Sequence, residues 1–313
     1  MDEHNKKPHI VIVQGPTASG KSDAAVAIAC AYQGEIVNAD SLQLYREFDI
    51  GTAKPTSEER AVVPHHLFDV LSPGETSDAG RYIEMAGKVI EDITSRGKLP
   101  VICGGTNLYI RALLGGLVDL PKRNDELRAE YQAILDDEGV EALFARLEAL
   151  SPDAREHIEY QNPVRIIRAL EVQEQSGTPI WVLQAEHRFA EKPYHSLSVG
   201  LDVMIYELRS RIRARAEKML AAGLMEETRR LRDKFSGTKT PALGSIGYKE
   251  CSAVLDGELE EDLLQKKIEI STWRYAKRQL TWLKREKDLK LFAWPAEEQA
   301  MLEAVGNFLK DQT

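Results

Sequence analysis

Apolar and polar positions along the chain show two textures. In the first third, short unbroken apolar runs alternate with helical repeats. His9–Val13, Glu35–Ala39 and Leu99–Cys103 read as buried strands. Asp23–Tyr32 is Ala-rich and apolar, which suits a helix packed closely on a sheet. Tyr82–Thr94 carries the spacing of an amphipathic helix. A loop punctuated by Gly97 and Pro100 leads into the Leu99–Cys103 strand, and Gly104–Gly105 leads out of it. Strands that alternate with helices in this way predict parallel βα units.

The texture changes after Leu120. Asp125–Asp136, Val140–Leu150 and Val164–Gln175 have helical periodicity, with almost no strand-like sequence among them. Ser151-Pro152 reads as an N-cap followed by proline at the first helical position. Residues 121–195 are therefore expected to form a helical insertion. Strand character returns over Ser196–Tyr206, and long helices follow at Leu208–Phe235 and about Leu259–Glu286. Residues 1–120 and 196–313 are then one α/β core interrupted by that insertion.

Composition narrows the class. The chain has 313 residues, 43% hydrophobic and 29% charged, enough to bury a core and too apolar for whole-chain disorder. Cys30, Cys103 and Cys251 are far apart and form no CxxC pair, which argues against a disulfide scaffold or a cysteine zinc site. The N-terminus lacks the apolar run of a signal peptide, and no stretch is long enough to span a membrane. A soluble cytoplasmic protein without a membrane partner is expected.

Charge changes the picture further. The formal net charge of -9 by itself disfavours a nucleic-acid binder. However, residues 205–240 hold ten Lys or Arg against five Asp or Glu, and residues 266–290 hold nine against three. In the second stretch, Trp273, Tyr275 and Trp282 interleave with Arg274, Lys277, Arg278 and Arg285, a pattern suited to phosphate contacts and base stacking. An amphipathic helix with a solvated cationic side explains it as well. Arg209, Arg211, Arg213 and Arg215 alternate too closely for one helical face, so some should meet anions and some solvent.

The most specific motif is Gly15-Pro16-Thr17-Ala18-Ser19-Gly20-Lys21-Ser22, a full match to GxxxxGK[ST] between a strand and a helix. Its glycines let backbone N–H groups turn inward around phosphate oxygens, and the helix N-terminus faces the anion. Lys21 carries charge to the phosphates, and the Ser22 hydroxyl can ligate magnesium. The fold class is thus α/β, with a P-loop NTPase-like parallel sheet core and an inserted all-helical domain. The loop predicts a phosphorylated ligand without specifying ATP.

Asp40 ends the second strand, where a carboxylate can take a proton from a nucleophile, hold metal or cap the following turn. Gln43 offers a donor and an acceptor, which suits an adenine edge. Thr106 follows Gly104-Gly105 and can bond a phosphate or base, or cap the turn. His65 and His66 point to opposite sides if they lie in a strand, which argues against a shared metal.

Taken together, these segments resemble the bacterial tRNA dimethylallyltransferases. The matching stretches are GPTASGKS (15–22), NADSLQLY (38–45), DIGTAKP (49–55), PHHLFDV (64–70), LPVICGGTNLYI (99–110), RIIRALEV (165–172), IGYKE (246–250) and TWRYAKRQLTW (272–282). They run in the family's order across almost the whole chain.

The resemblance implies transfer of a dimethylallyl group from dimethylallyl diphosphate to N6 of adenosine-37, in tRNAs that read codons beginning with U. It implies that Gly15–Ser22 hold the diphosphate, with magnesium on Ser22. It makes Asp40 the general base and Thr106 a second catalytic residue, both at the tRNA-facing site. Ser41, Leu42 and Gln43 would meet the target nucleotide. Val164, Arg165, Ile166, Ile167 and Arg168 would contact tRNA, and the helical insertion would grip the anticodon stem-loop. Arg274, Lys277 and Arg278 are expected to add phosphate contacts. No obligate protein partner is expected.

The chain departs from the family pattern in Ile158–Pro163, in Gly244 where many members carry Gln or Arg, and in Asn107 in place of glycine. Two rival readings differ in kind. A small-metabolite kinase would need ATP and an arginine-rich lid, and no lid with kinase spacing is evident. An RNA-binding protein with a vestigial loop would tolerate loss of Asp40.

Overall fold

The computed structural model describes residues 7–116, 118, 120–187, 192–238 and 240–311. The chain forms two compact units, Met1–Leu114 with Pro193–Thr313, and Gly115–Lys192. The first unit is built on six parallel strands: β1 His9–Gln14, β2 Gly34–Asn38, β3 His65–His66, β4 Leu99–Cys103, β5 His195–Asp202 and β6 Leu289–Ala293. Their order across the sheet is β3-β2-β4-β1-β5-β6. β2 and β4 are buried throughout, as is nearly all of β1, which is why they read as unbroken apolar runs.

Alternation divides the strand side chains between two cores. Ile10, Ile12, Val37 and Ile102 pack with Phe48, Tyr82, Ile90, Tyr109 and Tyr248. Val11, Val13, Ile36 and Val101 pack with Ala24, Ala25 and Ile28 of the helix Lys21–Ala31, and with Met301 and Val305 of the helix Glu298–Lys310. The small alanines let the helix Lys21–Ala31 lie close to the sheet. Register pairs Asn38 with Cys103, and Val13 with Cys103 from the other side. The loops after β1, β2 and β4 therefore leave the sheet side by side, at the strand ends where open α/β sheets bind ligands.

Several expected elements differ from those observed. β5 stops at Asp202, and the helix Ile205–Ala221 takes over residues 205 and 206. The long helix expected over Leu208–Phe235 is broken at Gly223, whose left-handed φ of 96° starts a second helix, Leu224–Lys234. The last basic helix begins at Leu264, after a short 3-10 turn at Glu261–Leu263, and ends at Leu283. Ser151 ends a helix rather than starting one. The next helix begins at Ala154 behind Asp153, so Pro152 lies outside both.

In the second unit, the helix Asp125–Leu150 bends at Gly139 and packs on the helix Pro163–Ser176. Phe144, Leu147, Ile166, Ala169 and Leu170 form its core. Buried Glu171 accepts from Arg128 at 2.9 Å, from Arg168 at 2.6 Å and from the Asn124 N–H at 2.6 Å. Three donors thus offset the cost of burying its charge.

Candidate active site

A cavity of 590 Å³ opens at the C-terminal ends of β1, β2 and β4, and Lys21, Ser22, Asp40, Gln43 and Arg215 are among the residues that line it. The phosphate loop that borders it is tightly wound. Ala18 and Gly20 both have left-handed φ, and a Cβ at Gly15 would meet the Ser19 hydroxyl at 2.5 Å. Not every amide of the loop faces the cavity, contrary to the simplest reading of the motif. Thr17 N–H donates to Gln279 Oε1 at 2.8 Å, and Ser19 N–H donates to Pro16 O at 3.2 Å. Gly20, Lys21 and Ser22, at the entry to the first helix, have no such acceptor among the described residues. Their amides and the helix N-terminus are the ones presented to an anion.

Burial depresses the Lys21 ammonium below its usual range, against Cys103 and Asp40, which favour its charged form. Arg215 is the second cation of the cavity. Burial likewise lowers its pKa, with Asp40 opposing. One turn earlier on the same helix, Arg211 donates to Ser19 O at 2.9 Å and pairs with Glu207 at 2.6 Å. Arg209 and Arg213 are exposed, and Arg209 lies 4.6 Å over the Trp273 ring. The arginine run therefore divides between an inner pair and an outer pair, four residues apart within each.

Asp40 leaves β2 on a turn fixed by Asn38, whose side chain accepts the Asp40 N–H at 2.9 Å and donates to Asp40 O and Leu67 O. Asp40 Oδ1 accepts the Leu42 N–H at 3.0 Å. Oδ2 accepts no hydrogen bond among the described residues and points toward Gly105, where an added Cβ would lie 3.7 Å from it. Capping thus engages one oxygen of the carboxylate and leaves the other open.

Thr106 Oγ1 accepts the Ser41 N–H at 3.0 Å and donates to Ser41 Oγ at 3.3 Å, outside the lining of the cavity. Ser41 lines the cavity and Thr106, expected as a catalytic residue, lies behind it. Gln43 Nε2 donates to the carbonyls of Thr52 and Ala53, so only Oε1 remains for a ligand. The expectation that Gln43 offers both a donor and an acceptor is corrected to an acceptor alone.

Gln279 carries no role in the sequence reading, and Tyr275, expected as a stacking aromatic among cations, instead points its hydroxyl at Gly105 O. One turn apart on the helix Leu264–Leu283, both bond Gly105 O, Tyr275 from its hydroxyl at 3.1 Å and Gln279 from Nε2 at 2.9 Å. Burial raises the Tyr275 pKa, and Asp40 adds to the shift. Arg274, Lys277 and Arg278 lie on the exposed side of that helix and form no ion pair among the described residues. Cys103 borders the loop, but burial pushes its thiol up to about 11, which keeps it protonated and inert.

No three His, Cys, Asp or Glu side chains cluster as a metal site among the described residues. Magnesium does not require such a cluster, since one protein oxygen with substrate phosphates and water suffices. The exposed Ser22 in the first helical turn fits that role. His65 and His66 are tied to Val63 O and to the Glu35 carboxylate, each at 2.7 Å, so they do not share a partner.

Comparison with known proteins decides the family. The model described as IPP transferase matches residues 43–286, and the one described as isopentenyl transferase matches residues 8–64. The tRNA dimethylallyltransferase of Anaeromyxobacter dehalogenans is 46% identical over 95% of this chain and 98% of its own. The chain belongs to the tRNA dimethylallyltransferase family. Among solved structures, the full-length tRNA isopentenylpyrophosphate transferase of Bacillus halodurans has a TM-score of 0.73 at 32% identity, covering 98% of each chain. A eukaryotic dimethylallyltransferase acting on tRNA has a TM-score of 0.81 at 25% identity, covering 97% of this chain and 80% of that one.

Within residues 164–168, expected from the sequence to contact tRNA, the structure separates two kinds of residue. Val164 is 73% exposed and Arg165 is also at the surface. Ile166 and Ile167 are 0% and 7% exposed and belong to the core of the helical unit, so the expectation that they touch tRNA is corrected. Arg168 is held by Glu171 and Pro121 O. In the atypical 158–163 stretch, Asn162 caps the helix that starts at Pro163 by accepting the Arg165 N–H at 3.3 Å. At Gly244 nothing lies within 4 Å of an added Cβ, so the larger side chains of other family members would have room.

Proposed function

We propose that the protein transfers a dimethylallyl group from dimethylallyl diphosphate to N6 of adenosine-37, in tRNAs that read codons beginning with U. The observation that carries this reading is the free oxygen of Asp40 beside the cationic pair Lys21 and Arg215, in a cavity whose walls also include Val26, Ile212, Met219 and Ile246. A diphosphate needs the cations, a prenyl chain the apolar walls, and an exocyclic amine the carboxylate.

The diphosphate lies against the amides of Gly20, Lys21 and Ser22, with Gly15–Ser19 shaping the turn beneath it. The N6 lone pair is delocalised into the purine ring, so the amine is a weak nucleophile. Asp40 Oδ2 orients it and accepts its proton while N6 bonds to C1 of the allyl group and the C1–O bond breaks. Lys21, Arg215 and the amides stabilise the negative charge that builds on the departing diphosphate. Ser22 and the diphosphate oxygens would hold magnesium, which would offset the same charge.

On the acceptor side, Thr106 fixes Ser41, Leu42 flanks the base, and Gln43 Oε1 accepts from it. Val164 and Arg165 of the helical unit, and Arg274, Lys277 and Arg278 of the core, contact the anticodon stem-loop. The adenine has to leave its stack to enter a pocket, which costs least in a loop. Among the described residues no helix is long and apolar enough to cross a membrane.

The test is direct. Purified protein is incubated with dimethylallyl diphosphate, magnesium and unmodified tRNA, and the nucleosides are digested and weighed. One dimethylallyl mass on adenosine is expected, with no need for ATP. No mass gain on a competent tRNA would overturn the reading.

A further inference from the structure

Gln279 is buried, yet both ends of its side chain are satisfied by loops far away in sequence. Oε1 accepts from Thr17 N–H in the phosphate loop at 2.8 Å, and Nε2 donates to Gly105 O in the turn after β4 at 2.9 Å. The orientation of the amide follows from its partners, an N–H on one side and a carbonyl on the other. Under the reading above, the first loop holds the diphosphate donor. The second loop carries Gly105, which lies against Asp40 Oδ2, and Thr106, which holds Ser41. Tyr275 OH on the same carbonyl secures the acceptor-side end.

We infer that Gln279 is a positioning residue that sets the spacing between the donor loop and the acceptor turn. Although Gln279 lines the cavity, both ends of its amide are already engaged by the two loops. A single rigid amide spans the two loops, so the C1 atom of the donor and the N6 atom of the acceptor are held in line by one side chain. The inference rests on the proposed transferase activity. Its chemical basis is that the bridge needs one acceptor and one donor at fixed separation. Among the common side chains of this length, only an amide or a protonated carboxyl supplies both.

That requirement gives the test. Gln279→Met fills the space but removes both hydrogen bonds. Gln279→Glu keeps the acceptor for Thr17 and regains a donor for Gly105 only when protonated. Steady-state kinetics with dimethylallyl diphosphate and tRNA, run alongside thermal melts, separate the cases. For Gln279→Met, kcat should fall about 100-fold, the loss expected for a misplacement near 1 Å. The KM of each substrate should move less than about threefold, because the two hydrogen bonds removed are to protein loops. For Gln279→Glu, activity relative to wild type should rise as pH is lowered, since burial beside Asp40 favours the protonated form that restores the bridge.

A Gln279→Met enzyme with wild-type kcat would overturn the inference. So would a loss of kcat that simply tracks a lost melting transition, or a Gln279→Glu enzyme whose ratio to wild type does not change with pH. An inactive wild type would instead overturn the transferase reading, so the two failures are distinguishable.

Discussion

Asp40 Oδ1 accepts the Leu42 N–H at 3.0 Å, while Oδ2 is left toward Gly105. An asparagine at this position can keep the first contact and loses the basic oxygen. Asp40→Asn should therefore fold and bind tRNA like wild type, with turnover reduced about 10²- to 10⁴-fold, the usual contribution of a positioned base. Asp40→Ala should lose most turnover as well, with tRNA affinity nearly intact in a filter-binding assay. Wild-type turnover in either variant would remove Asp40 as the base.

Arg215 offers the cavity a charge that no carboxylate neutralises through an ion pair among the described residues. Its replacement by Gln should weaken the diphosphate substrate more than the tRNA. A hydrogen bond to a charged group is worth about 1.5–3 kcal/mol, so KM for dimethylallyl diphosphate should rise about 10- to 100-fold. Initial-rate measurements with each substrate varied in turn would check this.

Gly104 and Gly105 are adjacent but should fail differently. A Cβ at Gly104 would lie 2.1 Å from the Ala39 backbone, which cannot move without shifting β2. A Cβ at Gly105 would lie 2.6 Å from Gln279 Nε2, so it would displace one end of the Gln279 bridge while the strands stay in place. Gly104→Ala should cost about 3 kcal/mol in urea melts, the scale of overpacking in a core. Gly105→Ala should melt near wild type yet lose about tenfold or more in kcat, because the reacting groups are misplaced.

Glu35 is buried on β2, where both its oxygens are bonded by the Arg96 guanidinium and His66 Nε2 lies 2.7 Å away. The Arg96 hydrogen bonds hold its carboxyl down at about 2, from an ordinary 4.5. The folded value lies below the unfolded one, so ionised Glu35 stabilises the fold above pH 4.5, and that contribution is lost as pH falls toward 2. Glu35→Gln should lower the melting temperature at pH 7, and the gap from wild type should close in acid. A gap independent of pH would contradict the assignment.

Arg274, Lys277 and Arg278 are exposed on one helix and available for phosphates. Replacing all three with Ala should weaken tRNA binding and flatten its dependence on salt, by about 2 to 3 in the log–log slope if each meets one phosphate. Titrations of tRNA at several salt concentrations would measure the slope, while thermal melts should barely move.

The sequence was most legible where one physical cause dominates. β1, β2 and β4 are covered on both faces, so their apolar runs were unmistakable, and their ends located Lys21, Asp40 and Thr106. β6 reads LKLFA with mostly exposed positions, and β3 has two residues, so neither gave a periodic signal. The partners on helices were harder to read. Periodicity tells which face of a helix is inward but not what lies opposite it, so Arg215 was one arginine among four. Gln279 did carry a faint signal. It continues the inward stripe of Ile268, Thr272 and Tyr275, and a polar residue on such a stripe requires a buried partner. Its cationic neighbours drew the reading to the opposite face. Ile166 and Ile167 show the reverse error, since a motif names a segment whereas burial sorts its residues one by one.

The cavity draws its walls from Thr17 near one end of the chain and from Trp294 and Glu298 near the other, and the Trp294 ring closes over Gly20. The phosphate loop therefore leaves the ribosome long before the residues that complete its cavity. A nascent chain can complete most of its parallel sheet while its substrate site still lacks one wall. The cavity is complete only once β6 and the helix Glu298–Lys310 dock, so a chain truncated before Leu289 would forfeit one wall of the pocket as well as the edge of the sheet.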